Sequence, residues 1–274
     1  MGAINPVRDR LARGEPALGA RVRSFSTTLL TVLGRTGVTY GYLDLEHAGF
    51  SPYDSDSLER MQTVAEAAGI GLVVRLPAGE PTMIQTALDA GIRTVIVPRV
   101  ETAAAVERAV RASRFTYEGK PGDRGYGTAA ANDWGVRPPG YTEREDETVL
   151  VGVMLETAAA VENASDIAAV AGLGFAKIGT GDLAVSLGHP QEEDHPAVQE
   201  AVQTLERACR NAEVPLGSGV GSIEAGREVL DEGYQLVDVG GDVEAFRRTI
   251  EERFAALDGD DAEGRPDGSQ GGRS

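Results

Sequence analysis

The sequence predicts a (β/α)8 barrel. Three observations carry this. Eight short strand-like runs alternate with segments of helical period, and one of them, 94–97, is β-branched and fully apolar, as a strand covered on both faces should be. The third is length: 274 residues match the roughly 250 that such a barrel occupies. A doubly wound open sheet gives the same alternation, and strand count and length favour the barrel.

The elements follow in order. A short helix ends near Gly14, residues 18–24 form the first strand, and 27–33 the helix after it. The second strand, 38–45, approaches on Val38, Thr39 and Tyr40 and ends among Asp44, Glu46 and His47. In a strand Asp44 and Glu46 share one face and His47 takes the other, unless the chain turns there, which Ala48-Gly49 favours. Helix 57–68 puts Leu58, Met61, Val64, Ala65 and Ala68 on one face, and Gly69 supplies a left-handed stop. Strand 71–75 ends in Arg75; Pro81 suits the first turn of a helix running to Ala90, with Gly91 behind it. After strand 94–97 and helix 101–113 the pattern breaks over 116–147, rich in Gly, Pro, Asp and Arg and holding the single tryptophan, Trp134. An irregular stretch this long inside one domain is expected to be a functional lid or mobile excursion. Order resumes with strand 149–155, helix 158–171, strand 175–178, a short helical piece through Leu183 and Leu187, and a helix over 198–210 opened by Asp194-His195-Pro196. Strands 214–218 and 235–239 flank helix 223–232. The last helix, 243–257, carries the apolar stripe Val243, Phe246, Ile250 and Phe254. Residues 1–257 thus form a single domain, and the acidic, Gly-rich tail 258–274 has too little to bury and is expected to be disordered.

Composition narrows the function. A formal charge of −17, from 43 acidic residues against 26 Lys and Arg, disfavours nucleic acid and anionic membrane surfaces as partners. Lysine occurs only as Lys120 and Lys177, and so acid-rich, lysine-poor a surface suggests adaptation to high salt. Cys209 is the single cysteine, so neither an internal disulfide nor a thiolate cluster forms, and a cytoplasmic, unexported protein is expected.

Polar residues cluster where the strands end: His47 after the second, Arg75 on the third, Glu156 after the fifth and Asp182 after the sixth. Barrel active sites lie at these C-terminal ends. Glu156 and Asp182 fall on adjacent strands and could hold one hard divalent cation such as Mg²⁺ or Mn²⁺ through oxygen. A helix N-cap is the competing reading for either acid. Lys177 on the sixth strand offers a different chemistry, a Schiff base with a keto substrate, against a structural lysine. Gly179-Thr180-Gly181 is a tight turn whose amides could meet a carboxylate.

Several stretches in order resemble the HpcH/HpaI aldolase family, divalent-metal-dependent pyruvate aldolases related to the citrate lyase β-subunit. These are Leu43-Asp44-Leu45-Glu46-His47, Val74-Arg75-Leu76-Pro77, Leu88-Asp89-Ala90-Gly91 with Ile96-Val97-Pro98, Arg124-Gly125, Leu155-Glu156-Thr157, and Ile178-Gly179 with Asp182-Leu183. The resemblance implies that Glu156 and Asp182 bind the metal, Mg²⁺ first and Mn²⁺ or Co²⁺ as alternatives, with the substrate's carboxylate and keto oxygen on it. It also implies proton transfer by His47, oriented by Asp44 or by Asp89 across a subunit boundary; charge stabilisation by Arg75; substrate contacts from Arg75, Gly181 and Asp182; and a hexamer exchanging C-terminal helices. The activity implied is cleavage of a 2-keto-hydroxy acid to pyruvate, or a close relative, and an aldehyde. Two alternatives stay open: an acyl-CoA lyase of the malyl-CoA, citramalyl-CoA or citrate lyase β-subunit type, which Arg108, Arg111 and Arg114 could serve, and a catalytically reduced keto-acid-binding barrel. The chain departs from the family pattern at Met154, where glutamine is usual, at Arg21, where tryptophan is frequent, and in the Gly179-Thr180-Gly181-Asp182 turn.

Overall fold

Eight parallel strands close on themselves in the computed structural model, which describes residues 5–263. They are β1 (Ala17–Arg21), β2 (Tyr40–Asp44), β3 (Gly71–Arg75), β4 (Thr94–Val97), β5 (Leu150–Leu155), β6 (Leu173–Ile178), β7 (Leu216–Gly219) and β8 (Leu236–Gly241). Each pairs with the next in sequence, and β8 returns to β1 through Ala17 opposite Leu236. This is the expected (β/α)8 barrel.

Period-2 alternation divides the strand residues between two cores. Tyr40, Tyr42, Val73, Ile96, Met154, Phe175 and Leu236 point inward and fill the barrel, with Ala17 and Val7. Their neighbours Leu43, Leu72, Val74, Val95, Val97, Val151, Val153, Leu155 and Ala176 point outward and pack beneath the helices. Helix Ser55–Ala67 shows how the sequence makes that layer. Asp54 caps it by accepting from Ser57 N–H at 3.1 Å, Leu58, Met61 and Ala65 turn to the core at i, i+3 and i+7, and Gly69 follows at φ 75°.

The floor of the barrel is closed by helix Pro6–Ala12, whose Val7 enters the interior cluster. Asn5 fixes it there, its amide donating to Arg93 O at 3.2 Å and Thr148 O at 2.9 Å.

Residues 116–147 are more ordered than expected and stand on this same face. They hold a two-stranded hairpin (Thr116–Tyr117 with Lys120–Pro121), a 3-10 segment Ala130–Gly135 and helix Tyr141–Thr148. Glu145, 2% exposed, pairs with Arg93 at 2.9 Å and Arg124 at 2.8 Å. Arg93 immediately precedes β4, so the excursion lies at the N-terminal ends of the strands, away from the mouth. It does not lid its own barrel.

Two boundaries also move. The expected helix 158–171 is two short ones, Ala158–Glu162 and Ala164–Ala168, separated at Asn163, whose amide donates to Ala159 O and Glu101 O. The C-terminal helix runs Asp242–Glu263, past the expected end at Leu257; the rest of the tail, 264–274, lies outside the described residues.

Candidate active site

β2 ends at Asp44 because its own side chain stops it. Asp44 Oδ1 accepts from Glu46 N–H at 3.0 Å and His47 N–H at 3.3 Å, an Asx turn that swings the chain out of the sheet and lifts His47 to the mouth. The turn that Ala48-Gly49 suggested therefore begins at Leu45. The same carboxylate takes a two-pronged contact from Arg75, Nε to Oδ1 at 3.0 Å and Nη2 to Oδ2 at 2.5 Å. Burial opposes ionisation of Asp44, but these bonds, the guanidinium charge and the two backbone amides hold its pKa below the ordinary carboxylate value. Asp44 thus orients Arg75 and the His47 backbone, not the imidazole as expected.

The imidazole faces Glu46, Nε2 to Oε2 at 3.7 Å, and its side chain is 59% exposed. Glu46 also lies 2.9 Å from Arg75 Nη1, yet that oxygen accepts no well-directed hydrogen bond.

Glu156 stands where β5 gives way to its helix, 1% exposed. Thr157 is the cap of that helix, accepting from Ala160 N–H at 3.1 Å, which removes the N-cap reading of Glu156. One carboxylate oxygen accepts from Arg99 N–H at 2.7 Å, and the other is buried with no partner. Arg99 reaches it by adopting φ 50°, a strained conformation for a residue with a side chain. Burial raises the Glu156 pKa, the Arg99 amide opposes the rise, and the charges of Asp182 and Glu46 add to it. The neighbouring Gly179 is dictated by this oxygen, since a Cβ there would stand 2.7 Å from Glu156 Oε2. Asp182 falls in the first turn of helix Thr180–Ser186, whose N-cap is Gly179, so it is not a cap either; Gly181 is exposed beside it.

A bare, desolvated carboxylate oxygen that feels the charges of two further acids has the chemistry to take a cation. Hard oxygen donors suit Mg²⁺ or Mn²⁺, and a divalent ion would satisfy Glu156 Oε2 and reverse the repulsion from Asp182 and Glu46. The residues fit such an ion. His189, Glu192 and His195 form a separate N/O cluster, but its two rings stack at 3.5 Å and His195 Nδ1 accepts from Ala197 N–H to cap helix Pro196–Asn211.

Three expected contributors fall elsewhere. Asp89 ends helix Pro81–Asp89, where it accepts from Gln85, which is tied through its own oxygen to Gly125 N–H of the excursion. Within one chain it stands at the opposite face from His47. Lys177 points inward but donates to Asp238 and lies 4.5 Å from the Tyr42 ring centre, an interior ion pair and not an outward-reaching side chain. Two of the arginine trio are engaged: Arg111 pairs with Asp123 at 3.0 Å, and the largely buried Arg114 donates to Val149 O, which leaves Arg108 alone exposed.

Sequence reasoning did not assign Glu46 or the Arg99 amide, and for Gly179 it gave a turn amide and not the space left for Glu156 Oε2. Glu46 was visible as an acid two positions from Asp44, the period of one strand face.

A parallel barrel that gathers a guanidinium, an imidazole and buried carboxylates at the C-terminal ends of its strands defines an enzyme acting on oxygenated small molecules. The chain belongs to the HpcH/HpaI aldolase/citrate lyase family, whose profile matches residues 22–249. It is 34% identical to a 4-hydroxy-2-oxovalerate aldolase of Rhodococcus jostii over 93% of this chain and 97% of that one. It is 30% identical to a 2-keto-3-deoxy-L-rhamnonate aldolase of Escherichia coli over 92% of both. A family member from Burkholderia cenocepacia superposes with a TM-score of 0.86 at 33% identity, covering 93% of this chain and 99% of that one. The protein is a carbon–carbon lyase of the aldolase type, and divalent-metal dependence is the family norm.

Proposed function

We propose that this aldolase interconverts a 4-hydroxy-2-oxo acid with pyruvate, or a close relative, and an aldehyde, with a divalent cation, Mg²⁺ first, held by Glu156 and Asp182. The observation that supports it most is the buried, unpartnered Oε2 of Glu156 beside Asp182 and Glu46. When bound, the cation acts as a Lewis acid toward the keto acid's oxygens.

The chain's own groups do the rest. Arg75, held flat by Asp44, retains guanidinium protons that Asp44 and Glu46 do not take, and offers them to the charge that develops on the keto oxygen. First-turn amides of Gly181 and Asp182 have no intrahelical acceptor and meet the substrate carboxylate. His47, exposed at the mouth, accepts the proton from the substrate's 4-hydroxyl as the C3–C4 bond breaks, and one proton delivered to C3 of the enolate completes pyruvate; the reverse direction runs the same transfers backward. Asp89 reaches His47 only from a neighbouring copy, so the reading includes a homo-oligomer. The exposed Phe246 (71%), Phe254 (62%) and Val243 (50%) of the C-terminal helix support one, and a hexamer is the expected form. No helix among the described residues is long and apolar enough to cross a membrane, and a cytoplasmic enzyme is proposed. The committed arginines at 111 and 114 weigh against the acyl-CoA alternative.

Chelation should abolish pyruvate-forming cleavage and added Mg²⁺, Mn²⁺ or Co²⁺ restore it, while Glu156→Gln loses metal binding by calorimetry. His47→Ala should keep metal binding and slow cleavage by ~10²–10⁴-fold. Chelator-resistant turnover with borohydride trapping on Lys177 would replace this reading with Schiff-base chemistry.

A further inference from the structure

We propose that Arg21 is a specificity-determining residue that binds an anionic group, carboxylate or phosphate, on the aldehyde half of the substrate. The inference rests on the aldolase reading and deepens it.

Arg21 is the last residue of β1, opposite Tyr42 of β2. Its side chain lies inside the mouth. Around the inward side of Gly219 on β7, Arg21 Nη1, Asp238 Oδ2 and Lys177 Nζ gather at 3.6, 3.5 and 4.0 Å from the place a Cβ would take. The guanidinium therefore crosses β8 and rests over a strand that carries no side chain at that level.

The charges in this corner do not balance. Asp238, 1% exposed, is fully engaged: Tyr40 donates its hydroxyl to Oδ1 at 2.7 Å and Lys177 donates to Oδ2. Lys177 and Asp238 neutralise one another, and Arg21 remains as a second cation. Among the described residues its side chain makes no ion pair and donates no hydrogen bond, and its Nε is buried without a partner. Arg75 shows what the barrel does with a guanidinium meant to be held internally, for it has two carboxylates around it. Arg21 has been given none, so the missing acceptor is supplied from outside.

Its place in the ring says which end of the substrate supplies it. β1 stands four strands from β5 in a ring of eight. A substrate with its 2-oxo acid end at Glu156 and Asp182 extends its aldehyde-derived end across the mouth toward Arg21. A planar guanidinium there favours aldehydes that carry a carboxylate or phosphate over neutral ones of similar size.

The test uses paired substrates with the full-length, metal-loaded enzyme and pyruvate: glyoxylate against acetaldehyde, and glyceraldehyde 3-phosphate against glyceraldehyde. The readout is the ratio of kcat/KM within each pair. The wild type should favour at least one anionic member by about tenfold or more, and the pair that shows it identifies carboxylate or phosphate. In Arg21→Leu the ratio should collapse toward one, and Arg21→Lys should recover part of it. A second readout needs no turnover: calorimetric Kd values for 2-oxoglutarate and 2-oxopentanoate, which share the 2-oxo acid head and differ in the distal charge. If the aldolase reading fails, this arm still reports on Arg21. Ratios that are the same in wild type and Arg21→Leu would overturn the proposal, as would equal losses on neutral and anionic members, which would make Arg21 structural.

Discussion

Folding and metal binding make opposite demands on Glu156. Its pKa in the folded protein is raised by burial, so the metal-free fold penalises the ionised form relative to the unfolded chain. Between the ordinary carboxylate value and the raised one, the folded state binds more protons than the unfolded chain, and stability must fall as pH rises through that window. Metal-free protein should accordingly gain thermal stability on mild acidification, and Glu156→Gln should be more stable than wild type at neutral pH without metal, with that part of the pH dependence gone. Melting curves with chelator across pH, for both proteins, check the sign. The Arg99 amide gives a matched pair: Arg99→Gly accepts φ 50° and keeps the bond to Glu156, whereas Arg99→Pro has neither the amide nor the angle and should lose metal affinity. Asp44, His47, Arg75, Glu156 and Asp182 were legible as mouth residues because each sits at a strand's C-terminal end. The Arg99 amide was not, because nothing in an arginine side chain announces a left-handed backbone. Nor was the partner of each acid: Asp44 at a strand end predicts a polar contact but not that the contact is Arg75.

At the level of elements, amphipathic period and turn residues placed the strands and helices to within a few residues, while the excursion was misjudged. Low hydropathy and many glycines read as mobility there, yet Glu145, flanked in sequence by charged and polar neighbours, is 2% exposed between two arginines that lie 52 and 21 residues away in the chain. Long-range charge pairing leaves no local periodicity to detect. Because Glu145→Ala strands two buried guanidinium groups, it should cost about 3–5 kcal/mol, measurable by denaturant unfolding, with little effect on metal affinity since the site is at the other face. The C-terminal helix shows the reverse: its apolar stripe was read correctly, and the single chain leaves it uncovered. Phe246→Asp with Phe254→Asp should reduce the particle mass in light scattering. A mass unchanged from wild type would remove this helix from the interface.

The whole molecule carries −17 formal charges. In dilute buffer self-repulsion opposes compaction, and molar salt, with a Debye length of ~3 Å, screens it. The melting temperature should rise from low to molar NaCl; a flat response would count against adaptation to saline surroundings. The barrel itself was evident from strand count, because β/α alternation leaves few topologies, and sequence order proved to be spatial order.

That closed ring also sets a timetable. Asn5 and Val7 are synthesised before the strands they close, for the carbonyl of Thr148 that anchors Asn5 is 143 residues behind, and Ala17 waits for Leu236 to complete its sheet. The clasp that Asp242 makes on Arg23 and Ser24 spans separations of 219 and 218. Until β8 has been synthesised, two strand edges and the apolar interior behind them are open to solvent and to other nascent chains. Chains released after β7 but before β8 should therefore be captured by chaperones or cut by protease, whereas chains released just past Asp242 resist digestion.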